Sequence, residues 1–226
     1  MPSPSVEQYL QSICKLGGID GRVQLKLVAE DLNVSPASVT EMAGRLDGLG
    51  LCRYEPYRGI TLTAKGRTMA LNLLRKHRLW ERFLADVLGL PWDVVHTEAH
   101  RLEHATSDEV AERLAALLDN PETCPHGFPV PGPDGEMTPR SGVLLSELEP
   151  GSRGLVIRVI RETAPLLSHL ERLGLTLGAV VEVRSRDPFD GAMLAAVGGV
   201  ERALGRTVTE SVVVERLQGG DPGEHA

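Results

Sequence analysis

The chain has 226 residues, 42% of them hydrophobic, with 24 Lys+Arg against 31 Asp+Glu. It holds no run of about 18 apolar residues, so no membrane span is expected, and "MPSPSVEQYL" lacks the basic-then-apolar pattern of a signal peptide. Three scattered cysteines, Cys14, Cys52 and Cys124, fit a reducing, cytoplasmic setting rather than a disulfide framework.

The net charge of −7 is unevenly spread. Residues 1–78 hold 11 Lys+Arg against 7 Asp+Glu, or +4; residues 79–226 hold 13 against 24, or −11. A mildly basic front ahead of an acidic remainder suits a DNA-binding domain attached to something else, although chance variation in surface charge gives the same numbers.

Helical periodicity dominates the first half. "SVEQYLQSICKLG" puts Val6, Leu10, Ile13 and Cys14 on one stripe. A helix over about 25–32 then points Val28, Ala29 and Leu32 inward, and Asn33 suits the left-handed conformation of a sharp turn. Ser35 caps the next helix and Pro36 takes its first position, where a missing N–H costs nothing. Val39, Met42, Leu46 and Leu49 form that helix's buried stripe. "LCRYEPYRGITLT" follows as strand, turn and strand, with Arg58 and Gly59 near the tip. Helix, tight turn, helix and hairpin in this order predict a winged helix-turn-helix. Its second helix would enter the major groove and present Ser35, Ala37, Ser38, Thr40 and Glu41 to base edges or phosphates. Arg45, Arg53, Arg58 and Lys65 are the expected phosphate partners.

From about Thr63 to Leu90 the chain reads as one long helix carrying His77 and Glu81 four apart. After Pro91, "WDVVHTEAHRLEHA" continues as another helix. At about 100° per residue, His96, His100, Glu103 and His104 share one arc beside an apolar stripe of Val95, Ala99 and Leu102. Six imidazoles and carboxylates on two adjacent helices, in a chain with seven histidines, predict a divalent metal centre. Isolated His/Glu pairs at this spacing are also common on solvated helix faces. "HRLEH" further matches the H-x-x-E-H of inverted zinc peptidases, in which His100 and His104 would hold zinc and Glu103 act as base. His77, Glu81 and His96 would tend to fill the open position that a hydrolytic zinc needs, and a winged helix belongs to no such enzyme. A metal-storage or sensing module that does not bind DNA is a third reading, which the wing disfavours.

"CPHGFPVPGPDGEMTPRSG", residues 124–142, is dense in Pro and Gly and reads as an irregular linker; Cys124 and His126 have the chemistry of ligands but are read as a Pro-Gly turn. Beyond it, "GLVIRVI" (154–160), "AVVEVRS" (179–185), "AMLAAVG" (192–198) and "SVVVERL" (211–217) are short and β-branched, which signals a small all-β barrel. One helical insert, "PLLSHLERLG", ends at Gly174 and leaves His169 on its surface.

Taken together, "VAEDLNVSPASVTEMAGRLDGLGL", "YEPYRGITLT", "RKHRLWERFL", "HRLEHATSDEVAERL" and "CPHGFPVP" resemble the diphtheria toxin repressor family of iron- and manganese-dependent regulators, over nearly the whole chain. The resemblance implies a winged helix over 1–72, a helical metal-binding and dimerisation domain over 73–123, the linker over 124–142 and an SH3-like, FeoA-like domain over 143–226. It implies a cytoplasmic homodimer that binds metal and then a palindromic operator on double-stranded DNA, repressing metal-uptake genes. An ancillary site would comprise His77, Glu81 and His96, and a primary site His100, Glu103 and His104 with Gln8 of the first helix. Glu162 is the candidate ligand from the SH3-like domain. Position 100 carries Cys in iron-type members and Glu in a manganese type, so its His leaves the metal open. Without Cys or Met in the cluster, Mn(II) is favoured over Fe(II), at about two ions per chain. Trp80, Phe83, Leu84, Val87, Val110, Leu114 and Leu117 are apolar enough for either a dimer interface or a monomer core.

Overall fold

The computed structural model describes residues 3–138, 140–188 and 191–217. They fall into two compact units, each assembled from three chain segments: Met1–Trp80, His100–Leu117 and Val130–Met137 in the first, and Glu81–Ala99, Leu118–Pro129 and Thr138–Ala226 in the second.

In the first unit, α1 (Pro4–Lys15) buries Val6, Leu10, Ile13 and Cys14 as its periodicity predicts. α2 (Leu25–Leu32) ends at Asn33, whose φ of 51° places it in the left-handed region, and α3 (Pro36–Gly48) starts from Ser35, whose side chain accepts from Ser38 N. These local signals set the turn between the two helices. α2 buries Val28 and Ala29, with Leu32 half-buried; α3 buries Val39, Ala43 and Leu46. Leu49 was expected in that stripe and instead is 48% exposed. The helix stops at Gly48 and Leu49 is its C-cap, so the helical period no longer governs where its side chain points.

β1 (Cys52–Glu55) pairs antiparallel with β2 (Gly59–Leu62) to make the wing. Tyr57, fully exposed at its tip, and Gly59 both have positive φ. α4 (Ala64–Asp86) leaves the wing, and Gly66 lets its backbone meet that of Leu51: a Cβ there would lie 1.9 Å from the Leu51 carbonyl oxygen. α5 (Trp92–Glu103) and α6 (Asp108–Leu117) follow. Leu84 and Leu114 are buried in the chain itself, whereas Val87, Val110 and Leu117 are exposed.

The expected linker is irregular but well anchored. Arg75, itself buried, donates to Pro131 O at 2.8 Å and pairs bidentately with Glu112, while Met137 packs against the core of the first unit.

The second unit contains the six-stranded antiparallel sheet, in the order β3-β8-β4-β5-β6-β7. Its strands are β3 (Val143–Leu144), β4 (Arg153–Val159), β5 (Val180–Arg186), β6 (Met193–Val197), β7 (Val200–Leu204) and β8 (Val212–Leu217). β4, β5, β6 and β8 match the four β-branched runs, whereas β3 and β7 carry no such signal: one has two residues and the other a mostly exposed VERAL pattern. α7 (Ala164–Leu173) is the helical insert, capped by Gly174 at φ 76°. α8 (Arg206–Thr209) precedes the last strand. Val156, Val181, Val183, Ala195, Val212 and Val214 build the core under the sheet.

Candidate metal centres

α5 ends at Glu103, and the carboxylate of that residue organises the first unit's cluster. It is 1% exposed. Its Oε2 accepts from His77 Nδ1 at 2.6 Å and from Gln11 Nε2 at 3.2 Å, and its Oε1 accepts from His100 Nδ1 at 2.8 Å. His104 lies just past the helix end, with Nε2 3.4 Å from Glu103 Oε1 and Nδ1 2.7 Å from Glu7 Oε2. Burial opposes ionisation of Glu103, but the hydrogen bonds from His100 and His77 outweigh it and hold the carboxyl at about 2. His100, Glu103 and His104 each bring one ligand atom within 4.8 Å of the others. A half-exposed pair of imidazoles against a buried carboxylate is a donor set that a divalent first-row ion accepts.

The side-chain hydrogen bonds from the first helix into this cluster come from Glu7 and Gln11, not from the expected Gln8. Glu7 and Gln11 are four apart and share the face of α1 that meets it. Gln8 sits about 100° round the helix from Glu7, and among the described residues it makes no side-chain hydrogen bond or ion pair.

The second unit brings together another group, which sequence spacing did not assemble. Glu81, Cys124, His126 and Glu162 bring ligand atoms within 4.8 Å of one another. Cys124 and His126 do form the expected turn, with Gly127 N donating to Cys124 O at 2.9 Å. Gly127 has φ 87° and sits so close to β4 that a Cβ would lie 2.0 Å from Ile157 O. That approach docks the turn on the sheet and buries both side chains. His126 is fully buried, 3.0 Å from Glu162 Oε1 and 3.8 Å from Glu81 Oε1 through Nδ1. Among the described residues these close contacts do not count as hydrogen bonds to either ring nitrogen. Burial disfavours the charged imidazole, yet Glu162 and then Glu81 outweigh it and raise its pKa above the ordinary histidine value. A buried imidazole so placed, beside a thiol and two carboxylates, fits a cation. Glu81 Oε1 also meets His96 Nδ1 at 3.0 Å. His100, Glu103 and His104 bring no sulfur, as expected, while this further group adds the thiol of Cys124. His169 is exposed on α7, as expected.

On α3, Ala37, Ser38, Thr40, Glu41 and Arg45 are all exposed, as are Arg53, Arg58 and Lys65. The hydroxyl of Thr40 donates back to Pro36 O at 2.9 Å, and Ser35 caps the helix. Arg58 pairs with Glu55 at 3.3 Å across the wing turn, and Glu55 also holds Arg22. Among the described residues no helix is long and apolar enough to cross a membrane.

A helix-turn-helix with a wing, followed by buried imidazole–carboxylate groups, defines a metal-dependent DNA-binding regulator. Comparison with known proteins agrees segment by segment. The family profile described as the iron dependent repressor N-terminal DNA binding domain matches residues 1–60, the iron dependent repressor metal binding and dimerisation domain matches 63–132, and the FeoA domain matches 143–216. The iron-dependent repressor IdeR of Mycobacterium leprae is 36% identical, over 94% of this chain and 97% of its own length. The diphtheria toxin repressor of Corynebacterium efficiens is 33% identical, over 95% of this chain and 96% of its own. Among solved structures, a manganese-dependent transcriptional repressor in complex with manganese superposes with a TM-score of 0.85 at 33% identity, covering 94% of this chain and all of that one. The repressor ScaR with bound zinc gives 0.76 at 33% identity, covering 96% of this chain and all of that one. The chain belongs to the diphtheria toxin repressor family, whose members are metal-dependent DNA-binding transcriptional repressors and not enzymes.

Proposed function

We propose that this chain is a cytoplasmic homodimeric repressor that binds about two divalent ions per chain and then a palindromic operator, with Mn(II) as its effector and Fe(II) as the alternative. The observation that carries the reading is the buried Glu103 carboxylate, which gathers His77, His100, His104 and Gln11 directly behind a winged helix. His100, Glu103 and His104 with Glu7 would hold one ion through nitrogen and oxygen only, a set suited to Mn(II) or Fe(II). Glu81, Cys124, His126 and Glu162 would hold the other, with His96 adjacent through Glu81. When bound, the ions supply positive charge that lets imidazoles and carboxylates which must otherwise hydrogen-bond one another serve as ligands instead. The chain's own part is to bring α1 and α5 together at one point, so that occupancy selects one placement of the winged helix.

Ser35, Ala37, Ser38, Thr40 and Glu41 are the proposed groove contacts, with Arg45, Arg58 and Lys65 on phosphates. The proposed dimer surface includes the exposed Val87, Val110 and Leu117. The test is a fluorescence-anisotropy titration at fixed salt, using a duplex selected from a random library by the Mn(II)-loaded protein. Affinity should rise at least tenfold with Mn(II), about 1.4 kcal/mol, and return to the metal-free value with chelator. Equal affinity with and without metal would reject the reading.

A further inference from the structure

α1 makes two kinds of side-chain hydrogen bond from adjacent residues. Gln11, 5% exposed, donates through Nε2 to Glu103 Oε2 at 3.2 Å. Ser12, 2% exposed, donates through Oγ to Asp31 Oδ2 at 2.6 Å. Adjacent residues of a helix point about 100° apart, so α1 reaches the imidazole–carboxylate cluster with one side chain and the helix-turn-helix with the next. Asp31 lies in the last turn of α2, two residues before Asn33, whose left-handed backbone sets the entry to α3. Among the described residues this is the one side-chain hydrogen bond from α1 to α2. Val28 and Ala29 of α2 then share one buried core with Val39 and Ala43 of α3.

Resting on the metal-dependent reading of the Glu103 cluster, we propose that Gln11, Ser12 and Asp31 form a polar relay that carries occupancy of that cluster to the recognition helix. An ion held with His100 and His104 would take up Glu103 at Oε1, displacing the His100 hydrogen bond and turning the carboxylate, whose Oε2 accepts from Gln11 and His77. A shift of Gln11 moves the α1 backbone that also carries Ser12. The short bond to Asp31 converts that shift into a displacement at the α2 C-terminus, where the turn into α3 begins. The apolar contacts between α1 and α2 can slide, whereas a hydroxyl–carboxylate bond fixes direction and distance. These three are positioning residues: Gln11 orients a proposed ligand, and Ser12 and Asp31 touch none of the ligand groups.

The test is hydrogen-exchange mass spectrometry of residues 25–48 in the full chain, with and without Mn(II), alongside calorimetric Mn(II) titration. Wild type should exchange more slowly when Mn(II) is bound. Ser12→Ala should lose about fivefold or more of that slowing while Mn(II) affinity stays within about twofold, because the ligands are untouched. Asp31→Ala should behave in the same way from the exposed end of the bond, which covers the case in which Ser12→Ala fails to fold. Asp31→Asn keeps an acceptor oxygen and should restore most of the response. Slowing at the wild-type level in Asp31→Ala overturns the relay, as does normal Mn(II) binding to wild type with no change over 25–48. A wild-type chain that binds no Mn(II) in the calorimeter instead overturns the metal reading, and the relay with it.

Discussion

The group around Glu103 and the group around His126 are built from the same kinds of side chain, in opposite states of satisfaction. Both oxygens of Glu103 are hydrogen-bonded, and its imidazole and amide partners donate to it with good geometry. His126 is fully buried beside two carboxylates and a thiol, with neither ring nitrogen aligned to a partner. Close carboxylates, and not an aligned hydrogen bond, hold that imidazole, so a bound cation would compete with an ion pair alone. The first group is closed without metal, so an ion must replace existing hydrogen bonds, which makes occupancy sensitive to concentration. In the second group an ion would give His126 an aligned partner. The first therefore suits a sensor and the second a more permanently held ion.

Removing the centre of the closed group gives the largest effect. Glu103→Ala removes the acceptor that His77, His100 and Gln11 share, two of them buried. Urea unfolding of the metal-free protein should show a loss of about 3–5 kcal/mol, the cost of breaking a buried charged network from one side. A loss below about 1 kcal/mol would mean that the network is solvated and that the contrast between the groups is false.

His126→Ala probes the other side of the comparison. Metal analysis after dialysis should fall from about two ions per chain to about one. The stabilisation that Mn(II) confers at a hundred times its Kd, about 2.7 kcal/mol per site, should be lost for that site alone. Metal-free stability should change much less than in Glu103→Ala, since no aligned hydrogen bond is broken. Two ions retained in His126→Ala would remove the group from the list of sites.

Cys124→Ser separates the groups by ligand softness. A thiolate favours Zn(II) over Mn(II) more than a hydroxyl does. Zn(II) affinity at the second group should therefore drop at least tenfold more than Mn(II) affinity, about 1.4 kcal/mol, with the Glu103 group unaffected. Equal losses for both ions would place the sulfur outside the coordination shell.

How much of this was legible follows from how local each signal is. Asn33, Ser35 and Pro36 specify the turn and cap of the helix-turn-helix within four residues, and the structure follows them. His100, Glu103 and His104 declare themselves by spacing near one helix end. Cys124 and His126 do not, because a C-P-H-G turn reads the same whether it faces solvent or a carboxylate. What turns it inward is the approach of Gly127 to Ile157, about thirty residues away on β4, and no local pattern encodes that packing. Leu49 was misread because a helical stripe was extended one residue past the helix end. β7 was missed because an exposed strand lacks the apolar alternation that marks a buried one.

The smallest effect distinguishes two neighbouring residues of α1. Glu7 bonds into the cluster, its Oε2 taking the His104 Nδ1 hydrogen at 2.7 Å, whereas the family resemblance puts Gln8 there. Glu7 is half-buried, and through that bond it fixes which ring nitrogen of His104 is left for an ion. Glu7→Gln removes the charge while keeping an oxygen in reach, so Mn(II) affinity at this group should fall about 10-fold, within the range for residues that orient or supply a ligand. Gln8→Ala should leave affinity unchanged within about twofold, because among the described residues Gln8 makes no side-chain hydrogen bond or ion pair to lose. Calorimetry on the His126→Ala background isolates this group from the other ion. If Gln8→Ala weakens Mn(II) there as much as Glu7→Gln does, the first helix rotates by about one residue on binding. The closed state of the group would then describe the resting protein alone.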